Sequence, residues 1–426
     1  FPSGPFMERP GKTAFMRLSG NFFYFHNFFA ERESDGDKMK KSLLKKQKQK
    51  SRSDYYDYNL VAVIVLLVCF GLVMLYSTSS YMAEINYGND MFYFKKQALI
   101  SAACLIGALV LSKIVDYHIL LPFTTAMYVA SLILMGLVRT PLGHSSHGAT
   151  RWLYIGPINF QPAEVAKIAV IIMMAYMIGK MGRKVKTLKS CMILGLPGAG
   201  LALAAYVLTD NLSTAMIILG ITVGMIFVAH PDMRPFIIMV VVGVALIVVA
   251  VLFIAATTTT KDSSSFRITR ILVWLQPEKY SDEGGYQTLQ ALYAIGSGGL
   301  FGRGLGNSIQ KLGSVPEAQN DMIFSIICEE LGIFGGIFVL ILFGYLLYRL
   351  FFIAQNAPDL FGSLIVTGIF IHIALQVILN IAVVLNLMPN TGVTLPFISY
   401  GGTSIVFLML EMAIALSVAR QIKFQE

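Results

Sequence analysis

The sequence predicts an all-α, polytopic membrane protein with about ten transmembrane helices and a large extracellular loop between helices 7 and 8. Three observations carry this. The 426 residues are 56% hydrophobic and only 13% charged, a balance soluble domains rarely reach. The apolar residues fall into blocks of about 17–25, the length a helix needs to cross the hydrocarbon core. The basic loops all fall on one side once the crossings are counted, and by the positive-inside rule that side is the cytoplasm. The short alternating segments of a transmembrane barrel are absent. The net charge of +9 sits in flanking loops, so it reads as membrane orientation and not as nucleic-acid binding.

Residues 1–58 read as an N-terminal cytoplasmic tail, expected to be disordered. "NFFYFHNFF" has neither a helical nor a strand period, and eight Lys or Arg residues lie between Lys38 and Arg52. Met39, which opens Met-Lys-Lys-Ser, is the expected natural start, and no cleavage site of small residues follows the first apolar block. Residues 59–421 form the membrane domain. Its blocks are Leu60–Tyr76, Gln97–Val115, Ile119–Val138, Ala163–Ile178, Ser190–Leu208, Ser213–Val228, Pro235–Ala256, Met322–Tyr348, Gly362–Leu385 and Thr403–Ala419. The fourth and sixth are short, which predicts half-buried or tilted segments shielded by neighbours. "KKSLLKKQKQKSR", "GKMGRKVKTLK", "YRLFF" and "ARQIK" lie on the inner side, so both termini are expected inside. The long segments Arg139–Pro162, residues 257–320 and Asn386–Gly402 then lie outside, and long loops in a compact domain usually carry function.

The motif-like sequence is in those loops. "VPEAQNDMIFSIICEELG" holds Glu317, Asp321, Glu329 and Glu330 at the mouth and in the upper part of the eighth block. Asn320 or Asp321 could each be an N-cap. Carboxylates inside a span are costly and usually line a cavity or pair with a cation. Lys167 is one such cation, three residues after Glu164 and on the same helical face. "GSGGLFGRGLG" lacks the Gly-Lys-Ser/Thr ending of a phosphate loop, so its glycines are expected to turn the backbone tightly. Arg267, Arg270 and Arg303 could meet an anionic headgroup, and Arg151 stands at the outer interface with Trp152 and Tyr154. "LPFISYGGTS", containing Ser399, reads as a re-entrant turn before the tenth helix. The histidines are scattered without zinc spacing, so no metal ligand set is assigned. Cys69, Cys104, Cys191 and Cys328 are expected to be small core residues.

Together these stretches resemble the SEDS family (shape, elongation, division and sporulation). The pieces are "GATRWLYIGPINFQPAEVAK", "GGYQTLQALYAIGSGGLFGRGLGNSIQKLG", "VPEAQNDMIFSIICEELG" and "MPNTGVTLPFISYGGTS", in family order over Tyr56–Gln421. The mix is most similar to the FtsW and SpoVE branch, and RodA shares most of it. The resemblance implies a peptidoglycan glycosyltransferase that polymerises undecaprenyl-linked lipid II at the outer face of the cytoplasmic membrane. It implies a class B penicillin-binding protein as partner transpeptidase, with other division-complex membrane proteins, and a place at the division septum. The family's essential aspartate falls on Asp321, and its Glu and Lys of the fourth helix on Glu164 and Lys167. The family's Pro-Asp-Leu-Gly-Thr is "TDNLSTA" here, which keeps Asp210, and its His-Thr before the aspartate is "QN".

On that implication Asp321 is the expected base for the attacking sugar hydroxyl. Glu164 and Lys167 would orient it or hold the acceptor, and Glu329 and Glu330 would line the cavity below. Arg267, Arg270 or a divalent cation such as Mg would neutralise the departing pyrophosphate. A lipid II flippase, a RodA-like elongation polymerase, an ion-coupled transporter and a pure scaffold are the rival readings. The Arg-rich outer loop feeding into Asp321 favours chemistry on an exported headgroup.

Overall fold

The computed structural model describes residues 56–146, 149–155, 158–232, 234–257, 266–281, 285–313, 315–316 and 318–423. The tail 1–55, the Met39 start and Glu317 lie outside the described residues. Ten apolar helices form the described bundle. They are α1 (Tyr58–Tyr87), α2 (Phe92–Ile114), α3 (Leu120–Leu137), α4 (Pro162–Met181), α5 (Leu188–Leu208), α6 (Leu212–Ala229), α7 (Arg234–Thr257), α10 (Ile323–Asn356), α11 (Leu360–Val384) and α12 (Ser404–Ala419). Nine are long and apolar enough to cross a membrane, and α12 is a shorter apolar helix of 16 residues.

The short-block expectation is met for the sixth span, the shortest of the nine candidates and half-buried, and less so for the fourth. The fourth and sixth spans are α4 with 20 residues and α6 with 18, and the shortest described span is α12. The block Ala163–Ile178 falls short of α4 at its C-terminal end, where Gly179, Lys180 and Met181 continue the helix. α4 is the most thoroughly enclosed of the candidate spans. α11 packs against α4, α6, α10 and α12 at the centre of the bundle. α7 lies at the opposite extreme, with none of its apolar window buried. Of the cysteines only Cys328 is buried, and Cys69 is exposed, because α1 turns that face outward from the bundle.

The long segments between spans contain regular structure. Residues 143–160 form a three-stranded antiparallel sheet, β1 (Gly143–Ser146), β2 (Ala149–Ile155) and β3 (Ile158–Phe160), with β2 central. His144 pairs with Trp152 and Leu153 with Phe160 in register. The sheet delivers the chain to Gln161 and to Pro162, whose fixed φ suits the first position of α4. The stretch 257–320 contains two helices, α8 (Phe266–Leu275) and α9 (Gly285–Gly298).

At the end of the bundle that holds the α10–α11 connection, His118 lies between two carboxylates, with Nδ1 2.6 Å from Asp116 and Nε2 2.7 Å from Asp359. Asp359 caps α11 by accepting from the Gly362 amide, and it also accepts from the Tyr117 hydroxyl. Burial alone would raise its carboxyl, but these donors hold it below the ordinary value. Its contribution is therefore complete above the ordinary carboxylate range and lost as pH falls through the lowered value. Asp359→Asn is expected to cost about 1–2 kcal/mol at neutral pH. Thermal midpoints in detergent should show a deficit that shrinks in acid; a deficit independent of pH would assign the loss to packing.

Candidate active site

The eighth span is broken. Gly332 in α10 has φ 70 and ψ −165, and the helix resumes beyond it. A broken ladder in a membrane span needs new partners for its backbone groups. The glycine-rich loop supplies them. The Arg303 and Gly304 amides donate to the Glu329 and Glu330 carbonyls at 3.0 and 2.9 Å, and the Ile333 amide donates to the Gly299 carbonyl at 3.0 Å. A Cβ at Gly302 would lie 2.2 Å from the Glu330 carbonyl oxygen, and one at Gly332 would lie 2.3 Å from that of Leu300. The glycines thus permit backbone-to-backbone contact here.

This changes the expected roles of Glu329, Glu330 and Arg303. Both glutamates are fully buried and saturated. Glu330 accepts from Lys311 Nζ at 2.8 Å and from the Ser77 hydroxyl of α1 at 2.7 Å. Glu329 accepts from the Ser308 hydroxyl at 2.5 Å and the Ile309 amide at 3.0 Å, and Arg303 Nη1 is 3.8 Å away. They clasp the loop to α10 and α1 instead of lining a cavity below Asp321. Ser399 is engaged within its own turn. Its hydroxyl accepts from the Leu395 amide at 2.8 Å and closes the turn before α12.

Asp321 stands just before the upper segment of α10. The N-cap of that helix is Met322, without a side-chain cap bond, so the capping expectation for Asn320 or Asp321 is not met. The Asp321 carbonyl accepts from Asn380 Nδ2 of α11 at 2.8 Å, and the same amide donates to Val393 at 2.7 Å. One turn along α11, Gln376 Nε2 donates to the Thr394 carbonyl, while Lys167 Nζ donates to Gln376 Oε1 at 3.3 Å. Lys167 also pairs with Glu164 at 2.9 Å, with both side chains nearly buried. The expected Glu164–Lys167 pair is present, and it is connected to Asp321 through two amides of α11 and residues 393–394.

Two guanidiniums converge on the same place. Arg270 of α8 donates to the Asn390 carbonyl at 3.0 Å. Arg151 of β2 donates to the Asp210 carbonyl at 3.1 Å, and Arg139 pairs with the Asp210 carboxylate at 2.9 Å. Burial lowers both Arg151 and Arg270 from the usual arginine value. Repulsion from Arg151 lowers Arg270 further, while Asp321 opposes the shift. Arg151 has Asp210 as its opposing charge and Arg270 has Asp321, so the two guanidiniums repel each other with one carboxylate acting on each. The Arg267 side chain lies outside the described residues. Among the described residues no three His, Cys, Asp or Glu side chains are grouped to hold a metal ion. The groups around Asp321 are guanidiniums and amides, so no step is assigned to a resident metal.

A second buried pair escaped the sequence reading. His372 Nδ1 of α11 lies 2.9 Å from Glu411 of α12, and both are enclosed midway along their spans. The available signal was a lone acid in "LMLEMAI" and a lone histidine in "FIHIAL".

The model for cell cycle proteins of the FtsW, RodA and SpoVE type matches residues 57–424. Stage V sporulation protein E of Bacillus subtilis (strain 168) is 36% identical over 372 residues, covering 86% of this chain and 98% of that protein. The probable peptidoglycan glycosyltransferase FtsW of Geobacter sp. (strain M18) is 33% identical, covering 87% and 99%. A solved chain from work on polymerization and crosslinking by a peptidoglycan synthase complex superposes with a TM-score of 0.70 at 26% identity, covering 86% of this chain and 98% of that one. The rod shape determining protein RodA of Thermus thermophilus superposes at 0.58 and 26% identity, covering 87% and 98%.

Proposed function

This chain belongs to the FtsW, RodA and SpoVE family of cell cycle proteins, and from that premise we propose that it is a peptidoglycan glycosyltransferase serving cell division. It polymerises lipid II at the outer face of the cytoplasmic membrane, with both termini inside and the Asp321 end of α10 outside. The observation that carries the reading is the placing of Asp321 by the segment that Arg270 holds: Arg270 donates to the Asn390 carbonyl, and a Cβ built at Gly392 would lie 4.0 Å from Asp321 Oδ2. An acceptor sugar hydroxyl gives its proton to Asp321 and attacks the anomeric carbon of the donor. The new C–O bond forms as the bond to the lipid pyrophosphate breaks. Attack from the opposite face turns an α-linked donor into a β-linked product. Arg270 and Arg151 receive the pyrophosphate charge.

A class B penicillin-binding protein is the partner that cross-links the strands, a reading supported by the likeness to a chain of a peptidoglycan synthase complex. The test is polymerisation of labelled lipid II by the purified protein, with and without that partner. Movement of lipid II across vesicle membranes without new glycosidic bonds would replace this reading with the flippase.

Lys167 is the positioning residue of the site. Lys167→Met should lower the turnover of each folded enzyme by about tenfold or more, beyond the stability it costs. It leaves Glu164 buried without its cation and Gln376 without its donor. Combined with Asp321→Asn it should be no worse than Asp321→Asn alone. Glycan product per folded enzyme decides it, and loss of folded protein instead of turnover would return the lysine to a purely structural pair.

A further inference from the structure

A ring ladder runs away from the active site along the outer surface. Tyr400 is tied to the strand of chain leading to Asp321, its amide donating to the Gln319 carbonyl at 2.9 Å. Its ring meets Tyr93 of α2 edge-on, with centroids 5.1 Å apart. Tyr93 meets Phe92 at 5.5 Å and Tyr87 of α1 at 5.8 Å, and Tyr87 stacks on Phe92 at 4.0 Å. Tyr87 is exposed, and Lys95 and Lys96 beside the rings are exposed too.

Aromatic rings at a membrane boundary ordinarily form a belt that anchors the protein at headgroup level. The height of these rings argues for more. α1 is capped at its inner end by Asp57, which pairs with Arg349 at 2.6 Å. From there Tyr87 is about 45 Å along the helix, at about 1.5 Å per residue. The hydrocarbon core spans only about 30 Å. α1 is therefore longer than the core is thick, and on the topology proposed above its Tyr87 end lies on the Asp321 side of the membrane, where a nascent polysaccharide must pass.

Resting on the glycosyltransferase reading, we propose that Tyr87, Phe92, Tyr93 and Tyr400 form a saccharide-stacking shelf that holds the growing glycan as it leaves Asp321. Sugar rings present faces of C–H bonds that pack on aromatic faces, whose quadrupole favours them. Such contact is indifferent to position along a repeating strand, which suits a polymer that advances by one unit per cycle. The shelf therefore sets how long a strand stays bound, and leaves the bond-forming step unchanged.

The experiment is lipid II polymerisation by the purified protein with its partner transpeptidase, reading lipid II consumed and strand length separately. Tyr87→Ala with Phe92→Ala should shorten strands by about fivefold while consumption stays within about twofold of wild type. Tyr87→Leu with Phe92→Leu keeps apolar anchoring and removes the ring faces, so it should shorten strands equally. Tyr87→Phe should keep wild-type length. Wild-type lengths in the Leu pair would reduce the shelf to a membrane belt and overturn the proposal, and the Leu pair decides alone if the Ala pair does not fold. No polymer from the wild-type protein would instead overturn the glycosyltransferase reading.

Discussion

Asp321→Asn is expected to abolish glycan polymerisation while the protein folds and inserts as before. The amide keeps the shape of the carboxylate, and the Asp321 carbonyl still accepts from Asn380. No side-chain cap of α10 is lost, since Met322 occupies the cap position without such a bond. What goes is the proton acceptor proposed for the sugar hydroxyl and the negative charge that relieves Arg270 from its repulsion by Arg151. General-base removal alone costs about 10²–10⁴ in rate. Long strands made by the purified variant would show that the base lies elsewhere.

Lys311→Met is expected to be the most damaging single change to folding away from Asp321. It leaves Glu330, fully buried, with the Ser77 hydroxyl as its remaining side-chain partner. It also removes the donor that reaches the Gly306 carbonyl at 2.7 Å. Breaking a buried pair from one side costs about 3–5 kcal/mol, because the surviving charge is uncompensated. Replacing both partners with apolar groups is often neutral. Lys311→Met with Glu330→Leu should therefore recover most of the folded fraction that Lys311→Met loses. Size-exclusion profiles and thermal midpoints of the two variants are the measurement. A double variant as damaged as the single would mean that the lysine stem, and not its charge, holds the loop.

The spans were legible because crossing a membrane leaves a composition and a length that few other structures share. Asp321, Glu164 and Lys167 were legible through motif resemblance together with the rarity of charge in apolar blocks. The partners of Glu329 and Glu330 were not. Lys311 lies in a glycine-rich stretch whose path depends on a break at Gly332, and nothing local in "EELGIF" distinguishes a kinked helix from a straight one. The sheet around Arg151 was hidden for a related reason. Its strands are short, and their pairing, with an irregularity between His144 and Ser145, is set by long-range register. Glu411 and His372 carried a readable signal, but each looks incidental until two helices bring them together.

The exchange of backbone bonds between the glycine loop and α10 meters the height of the active site. Amides and carbonyls repeat only once per residue. The Arg303 and Gly304 amides can meet the Glu329 and Glu330 carbonyls in one register, or in another displaced by a whole residue, with no stable setting between. A displaced register would bring a side-chain-bearing residue to the place of Gly302, whose Cβ position lies 2.2 Å from the Glu330 oxygen. The loop thus acts as a detent. The residue that leads into the upper segment of α10, Asp321, is thereby held at one of a few discrete heights and not along a continuum.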